Sequence, residues 1–216
     1  MTRAEMLAEL RDVLNAYGST FAAWSDTRLL GYLAEGQDKF CEETGFFIDK
    51  TNYSVTLETG TRIYTIPDRI IQILEVWDGT RKLEKLLTGE VFDGTIAAGD
   101  PAKWTTDQET ADIEFDRAPT SDEDGDTFTL RVWRYSRYAL DAAGKEPEIP
   151  SRFHRACIEW AAYKALNHHD AETQDPVKAK DHKDAFYDEY VTDGIAFFRR
   201  YHNIETRVGC DPAYQT

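Results

Sequence analysis

Cysteine is scarce in this sequence, with only Cys41, Cys157 and Cys210 among 216 residues. Three widely separated cysteines do not make a disulfide framework, so we expect reduced thiols. The sequence has no run of about eighteen apolar residues, which excludes a transmembrane helix on length. Neither a GxSxG motif nor a glycine-rich phosphate loop after a strand occurs, so the common hydrolase and nucleotide-binding signatures are missing.

Basic residues are also in deficit. The chain has 25 Lys and Arg against 40 Asp and Glu, which gives a net charge of −15. The acidity is spread along the chain, because every third of it carries more acidic than basic residues. Such a chain does not bind nucleic acid phosphates or an anionic membrane as its main function. With 41% hydrophobic and 12% aromatic residues, it is nevertheless expected to fold rather than remain disordered.

The N-terminal segment is predicted to form two helices. Thr2 and Glu5 make a capping box, and apolar residues then recur at helical spacing. A second helix is expected to begin at Ser25 or Asp26 and to end at Gly45. Short β-branched stretches with turn signals follow, which predicts five or six short strands.

Helices are predicted again after Pro150. Asp175 and Pro176 start the last of them, and Gly194 is expected to interrupt it. The fold class is therefore α+β: a helical bundle from residues 1–50 and 141–200, an inserted small antiparallel β-sandwich or barrel at 51–140, and an extended C-terminal tail at 201–216. The expected bundle core contains Leu30, Leu33, Phe40, Phe153, Trp160 and Phe186.

Two groups of residues have the composition of metal sites. One consists of His168, His169, Asp170, Glu172 and His182, but its members lack the spacing of known zinc motifs. The other is the turn 121–126, which lacks the final glutamate of a calcium-binding loop. We predict that His168, His169, Asp170 and Glu172 bind no metal and perform no catalysis, and that the second group is a solvated turn.

Several short motifs occur in a characteristic order along the chain. They are Trp24-Ser25-Asp26 with Leu29-Leu30-Gly31-Tyr32-Leu33 and Gln37-Asp38-Lys39-Phe40-Cys41; Tyr64-Thr65-Ile66-Pro67; Gly99-Asp100-Pro101-Ala102-Lys103-Trp104; Glu148-Ile149-Pro150 with Phe153-His154; and Ala161-Ala162-Tyr163-Lys164-Ala165-Leu166 with Asp170 and Glu172. With these motifs the chain resembles the head-to-tail adaptors (head–tail connectors) of tailed bacteriophages, a family that includes the tail tubular protein of short-tailed phages.

The resemblance implies a structural virion protein at the head–tail interface, made in the host bacterial cytoplasm, and not an enzyme. It implies no cofactor and no membrane. The expected partners are the portal protein, a downstream tail or nozzle protein and further copies of the chain, in a ring of about twelve. DNA would pass through the ring without specific binding, and we expect acidic side chains to outnumber basic ones on the channel wall.

A locally basic, aromatic segment near the C-terminus is the predicted docking site for the portal or a neighbouring subunit. Its residues are Phe197, Phe198, Arg199, Arg200, Tyr201 and Arg207. We expect residues 197–216 to be disordered in the free protein and ordered on the partner.

Two other functions stay open from the residues alone. A carbohydrate- or receptor-binding β module would use exposed aromatic residues of the β block. A metal-dependent hydrolase would use His168, His169, Asp170 and His182.

Overall fold

The computed structural model describes residues 1–16, 24–86, 97–107, 112–168 and 174–201. The chain divides into two compact units: a helical unit, Met1–Phe46 with Ser136–Thr216, and a β unit, Phe47–Tyr135. The predicted α+β class is confirmed. The helical unit contains α1 (Arg3–Ala16), α2 (Asp26–Thr44), a 3-10 turn (Ser151–Phe153), α3 (His154–Leu166), α4 (Pro176–Ala185), a π-helical turn (Phe186–Val191) and α5 (Thr192–Tyr201).

Local capping groups set the helix ends that the sequence predicts. The capping box is formed, because the amide of Thr2 donates to the Glu5 carboxylate and the amide of Glu5 donates to the Thr2 hydroxyl. Ser25 caps α2. Gly45 ends α2 in the left-handed region with φ of 60°, which favours glycine.

Two helical glycines allow close packing within the helical unit, where α2 lies against α3 and α5. A Cβ atom on Gly36 would lie 2.9 Å from the carbonyl oxygen of Cys157 in α3. A Cβ atom on Gly194 would lie 2.7 Å from the Phe40 ring. The prediction that Gly194 interrupts the last helix is therefore wrong, since this glycine lies inside α5 and is needed for close approach.

The core of the helical unit is apolar with one polar connection. Of the six predicted core residues, Leu30 is only half-buried, because Leu29 takes the inward position, and the other five are buried. The buried Gln37 side chain donates to the Ser136 hydroxyl at 2.8 Å and accepts from the amide of Glu148 at 3.1 Å. This network fixes the segment before α3 on α2. No helix in the described ranges combines the length and apolarity needed to cross a membrane.

The β unit contains two four-stranded sheets and one strand pair. Their orders are β1-β10-β3-β4, β2-β8-β7-β5 and β6-β9. The strands are β1 (Phe47–Thr56), β2 (Ile63–Thr65), β3 (Ile70–Asp78), β4 (Arg81–Lys82), β5 (Glu84–Lys85), β6 (Ala97–Ala98), β7 (Lys103–Asp107), β8 (Asp112–Phe115), β9 (Arg117–Ala118) and β10 (Thr127–Arg134).

Antiparallel pairing dominates the β unit, but the predicted barrel alternative and a purely antiparallel pairing are wrong. Neither sheet of the described strands closes into a barrel, and β5–β7 and β6–β9 are parallel pairs. Strands of two residues are too short to close a ring of hydrogen bonds. Buried residues from both sheets nevertheless form one apolar cluster, with Trp104, Phe115 and Phe128 as its largest members.

Candidate functional site

Helix α5 carries most of the predicted docking residues and is ordered through Tyr201. The structure therefore differs from the predicted disorder that was expected to begin at Phe197. The Phe197 ring stacks on Phe46 with ring centres 5.6 Å apart and meets Phe153 edge-on at 5.9 Å. Phe198 is also buried. These apolar contacts supply the free energy that orders the helix end, so the two phenylalanines belong to the helical unit itself.

The arginines of the predicted docking site, unlike its phenylalanines, are exposed to solvent where they are described. Arg199 and Arg200, in the last turn of α5, are both exposed. Their position near the helix C-terminus is electrostatically favourable, because the helix dipole is negative there. Tyr201 closes the helix, and Arg207 lies outside the described residues.

A third arginine, Arg152, contacts Phe197 of α5, and the sequence pattern did not predict this contact. Its guanidinium carbon lies 3.5 Å from the centre of the Phe197 ring and 4.8 Å from that of Phe153. This is a cation–π contact, which orients the side chain while leaving the guanidinium edge open for hydrogen bonds. Nothing in the sequence connects Arg152 with Phe197, since the two are far apart along the chain.

We call Arg152, Arg199 and Arg200 the arginine surface. Within the described ranges, no Asp or Glu forms an ion pair with any of the three. Some other arginines of the helical unit are paired, Arg11 with Asp26 and Arg155 with Glu9 and Glu159, whereas Arg28 makes no ion pair with any described residue. Among the described residues, these three guanidinium groups thus have no acidic partner in a chain of net charge −15.

Two residues of the predicted metal group, His168 and His182, lie in the described ranges, and both contact other side chains. His168 packs edge-on against Trp24, with ring centres 5.3 Å apart, and lines a pocket of about 370 Å³ with Tyr32 and Tyr163. His182 is buried and shares a hydrogen bond with the Glu159 carboxylate. His169, Asp170 and Glu172 lie outside the described residues. The ranges that can be assessed contain no cluster of three metal-ligating side chains.

The buried carboxylate of Glu159 is an electrostatic feature that the sequence did not reveal. Burial raises its pKa, but hydrogen bonds from His182 and Arg155 outweigh burial and hold the pKa below its usual range. Glu159 therefore stays ionised and links α3 to α4. The contact needs residues from separate helices, so sequence spacing carries no signal of it.

The acidic turn at 121–126 uses two of its carboxylates within the fold. Asp124 accepts hydrogen bonds from the amide and hydroxyl of Thr59 at 2.8 and 3.1 Å. Glu123 accepts from the amide of Thr120 at 2.7 Å and from its hydroxyl. These bonds stabilise a turn between strands, which is a structural use of the carboxylates.

An aromatic sugar-binding platform also finds little support in the β unit. None of the phenylalanine, tyrosine and tryptophan residues in its described part is exposed, and Trp104 is fully buried. Stacking of a sugar ring requires an accessible aromatic face. Tyr138, which lies in the predicted β block 51–140 but in the helical unit of the structure, is 54% exposed, whereas the described aromatic residues of the β unit are buried or half-buried.

The comparison with protein families agrees with the resemblance seen in the sequence. The family model described as SU10 adaptor protein matches residues 1–200, which include all of the β unit and every described helix except the last residue of α5. No curated protein sequence matches the chain. Because the match covers far more than half of the 216 residues, the chain belongs to the SU10 adaptor protein family, a family of phage head–tail adaptors.

Proposed function

We propose that copies of this chain form a ring beneath the phage portal, extend its DNA channel and dock the tail. The single observation that carries the proposal is the family match over residues 1–200. It supports a structural role in the virion, in association with portal and tail components, rather than a catalytic one. A ring of about twelve copies is proposed, as closed cyclic symmetry is the usual arrangement of identical subunits.

The net charge of the chain suits a conduit for DNA. Each copy contributes −15, and repulsion between an acidic channel wall and phosphates prevents the DNA from binding as it passes. We therefore propose that Asp and Glu outnumber Lys and Arg on the channel wall. A structure of the assembled particle tests this directly, and a wall lined mainly by Lys and Arg would contradict it.

The C-terminal segment is proposed to dock the ring on the portal or on a neighbouring copy. The residues assigned to this role are Phe197, Phe198, Arg199, Arg200, Tyr201 and Arg207. Arg199 and Arg200 are exposed and uncompensated, which supports a direct contact with partner carboxylates. The two phenylalanines support docking indirectly, by holding α5 on the helical unit.

The test mixes the purified full chain with portal rings of the same phage. Negative-stain electron microscopy is expected to show a second ring on one end of the portal, and the two proteins are expected to sediment together. Portal rings that stay bare and do not carry the chain in sedimentation would overturn the adaptor role.

A chain that ends at Arg200 separates docking from folding. It removes residues 201–216 and keeps Phe197 and Phe198, so its cooperative thermal unfolding, followed by far-ultraviolet circular dichroism, is expected to be retained. Its co-sedimentation with the portal is expected to fall. Unchanged co-sedimentation would overturn a docking role for the residues removed.

A further inference from the structure

The helical stretch at the end of the described chain has a first part of mixed charge, in which Lys178, Lys180 and Lys183 accompany Asp181 and Asp184. Helix α4, the π-helical turn and α5 follow one another from Pro176 to Tyr201 without a break, since Ala185 and Thr192 both have helical backbone angles. Exposed carboxylates occupy the middle of the stretch, and exposed arginines occupy its end. We call Asp184, Asp188, Glu189 and Asp193 the acidic surface.

The acidic surface has almost no compensating charge of its own. Asp184 lies 3.5 Å from the Lys180 ammonium group, and no described Lys or Arg pairs with Asp188, Glu189 or Asp193. Asp184 and Asp188 are four residues apart, as are Glu189 and Asp193, so like charges face one another along the helix. Like charges at this spacing destabilise a helix unless a cation lies nearby.

The acidic and arginine surfaces cannot neutralise each other within one chain. Asp188 and Arg199 are eleven residues apart, which is about 16 Å along a helix. Asp193 is nearer, but it makes no ion pair with Arg199 or Arg200. Among the described residues, these two surfaces of opposite sign are therefore displaced along one helix and make no ion pair with each other within one chain.

We propose that the arginine surface of one copy binds the acidic surface of the next copy. This inference rests on the proposed ring, and it names the partner of the arginine surface as a second copy rather than the portal. A contact between two different surfaces of identical chains is heterologous, and such contacts generate rings when the rotation closes. Guanidinium groups also bind carboxylates through two parallel hydrogen bonds, which fixes orientation as well as attraction.

The net charge of the chain means that association of copies requires a local attraction. Copies of net charge −15 repel each other in general, so a ring needs a local attraction that overcomes the repulsion. The arginine surface provides three positive charges where no described carboxylate competes for them. The same repulsion disfavours DNA as the partner of the arginine surface, because the surrounding protein is acidic.

Charge reversal tests the proposal. One variant combines Arg152→Glu, Arg199→Glu and Arg200→Glu, and a second combines Asp184→Lys, Asp188→Lys and Glu189→Lys. Association is measured by sedimentation velocity at low ionic strength and by ring formation on portal. Each variant alone is expected to weaken copy–copy association at least about tenfold. An equal mixture of the two is expected to associate again, because each reversed surface then meets a complementary one.

Controls separate charge from folding. Arg28, Lys50 and Lys145 make no ion pair with any described residue, and reversing all three to Glu gives the same change in net charge as the first variant. This control is expected to retain more association than the first variant. Because Arg152 also contacts Phe197, a variant with only Arg199→Glu and Arg200→Glu keeps that contact and is expected to show the same direction of effect.

Four results would overturn the proposal. One is unchanged association of both reversed variants, and another is a mixture that fails to associate while each variant is folded by circular dichroism. The third is wild-type chain that shows no copy–copy association in solution or on portal. If reversal of the arginine surface abolishes portal binding and leaves copy–copy association intact, the portal is its partner instead. Wild-type binding to portal is scored separately, so the adaptor role can stand when this inference fails.

Discussion

The helical unit and the β unit are packed by opposite means. In the helical unit the backbones of α2 and α3 approach so closely that Gly36 has no room for a Cβ atom. In the β unit, large rings such as Trp104 and Phe115 fill the space among the strands. The first unit is therefore sensitive to added volume and the second to lost volume, which is the general behaviour of dense protein interiors.

The two units also hold their carboxylates differently. In the helical unit Glu159 is buried and bonded to His182 and Arg155. In the β unit Glu75 is on the surface side of β3 and accepts from Lys82 at 2.7 Å and Arg131 at 3.2 Å. Both carboxylates thus have two basic partners, but Glu159 is more deeply buried than Glu75. Burial decides how much stability each carboxylate contributes.

The largest loss of stability is expected from removing a large side chain from the core of the β unit. Trp104→Ala removes a fully buried ring and should lower the free energy of unfolding by about 3–5 kcal/mol. Urea unfolding followed by circular dichroism measures this. Trp77→Ala is the matched control, because Trp77 is only half-buried on β3. Equal losses for the two substitutions would contradict a core that depends on the volume of Trp104.

Added volume should damage the helical unit. Gly36→Ala is expected to cost about 1–3 kcal/mol, because its methyl group meets the backbone of Cys157, which cannot rotate away. Gly31→Ala in the same helix is the control, since no atom lies within 4 Å of its Cβ position. Alanine favours a helix over glycine by up to about 1 kcal/mol, so this control should be neutral or stabilising in thermal unfolding. A stabilising Gly36→Ala would refute the close approach.

The two carboxylates offer a direct comparison of burial. Glu159→Gln leaves His182 and Arg155 with a weaker acceptor inside the helical unit and should cost about 1–3 kcal/mol. Glu75→Gln should cost less than about 1 kcal/mol, because water screens and replaces its ion pairs. Chemical denaturation of both variants at neutral pH gives the two values, and the reverse order would contradict the role assigned to burial.

The smallest expected effect is a difference in acid sensitivity. Burial lowers the pKa of His154 below its usual value of 6.5. The unfolded chain then takes up a proton at a higher pH than the folded chain, so this part of the helical unit's stability is lost as the pH falls below about 6.5. In the β unit, burial raises the pKa of Asp49, but hydrogen bonds from Asn52 and Thr51 and the charge of Arg134 bring it down to about 2. Its contribution is present above the ordinary carboxyl pKa and is lost only as the pH falls towards 2.

Amide hydrogen exchange at pH 7 and pH 5 resolves the two units. After correction for the intrinsic pH dependence of exchange, protection is expected to fall in α3 and to stay constant in β1 and β10. His154→Gln should reduce the change in α3. Equal loss of protection in both units, or no effect of His154→Gln, would contradict the assignment.

The predictable parts of this fold are those set by neighbours in sequence. Thr2, Ser25 and Gly45 mark helix ends correctly, because a cap and the backbone groups that it satisfies are only a few residues apart. The helical order of residues 197–201 was not predicted. This order depends on Phe46 and Phe153, which lie more than 40 residues before Phe197 and leave no periodic signal in the segment itself.

The sequence by itself determined the fold class, the main helix boundaries that can be assessed and the family resemblance. Only the tertiary structure decided the role of Gly194, which local propensity marks as a break and which the Phe40 ring requires as a glycine. It also decided that Arg152 contacts Phe197, and that His182 pairs with Glu159. The physical reason is the same in each case: backbone capping acts over one turn of helix, whereas close packing and charge pairing act between residues that only the folded chain brings together.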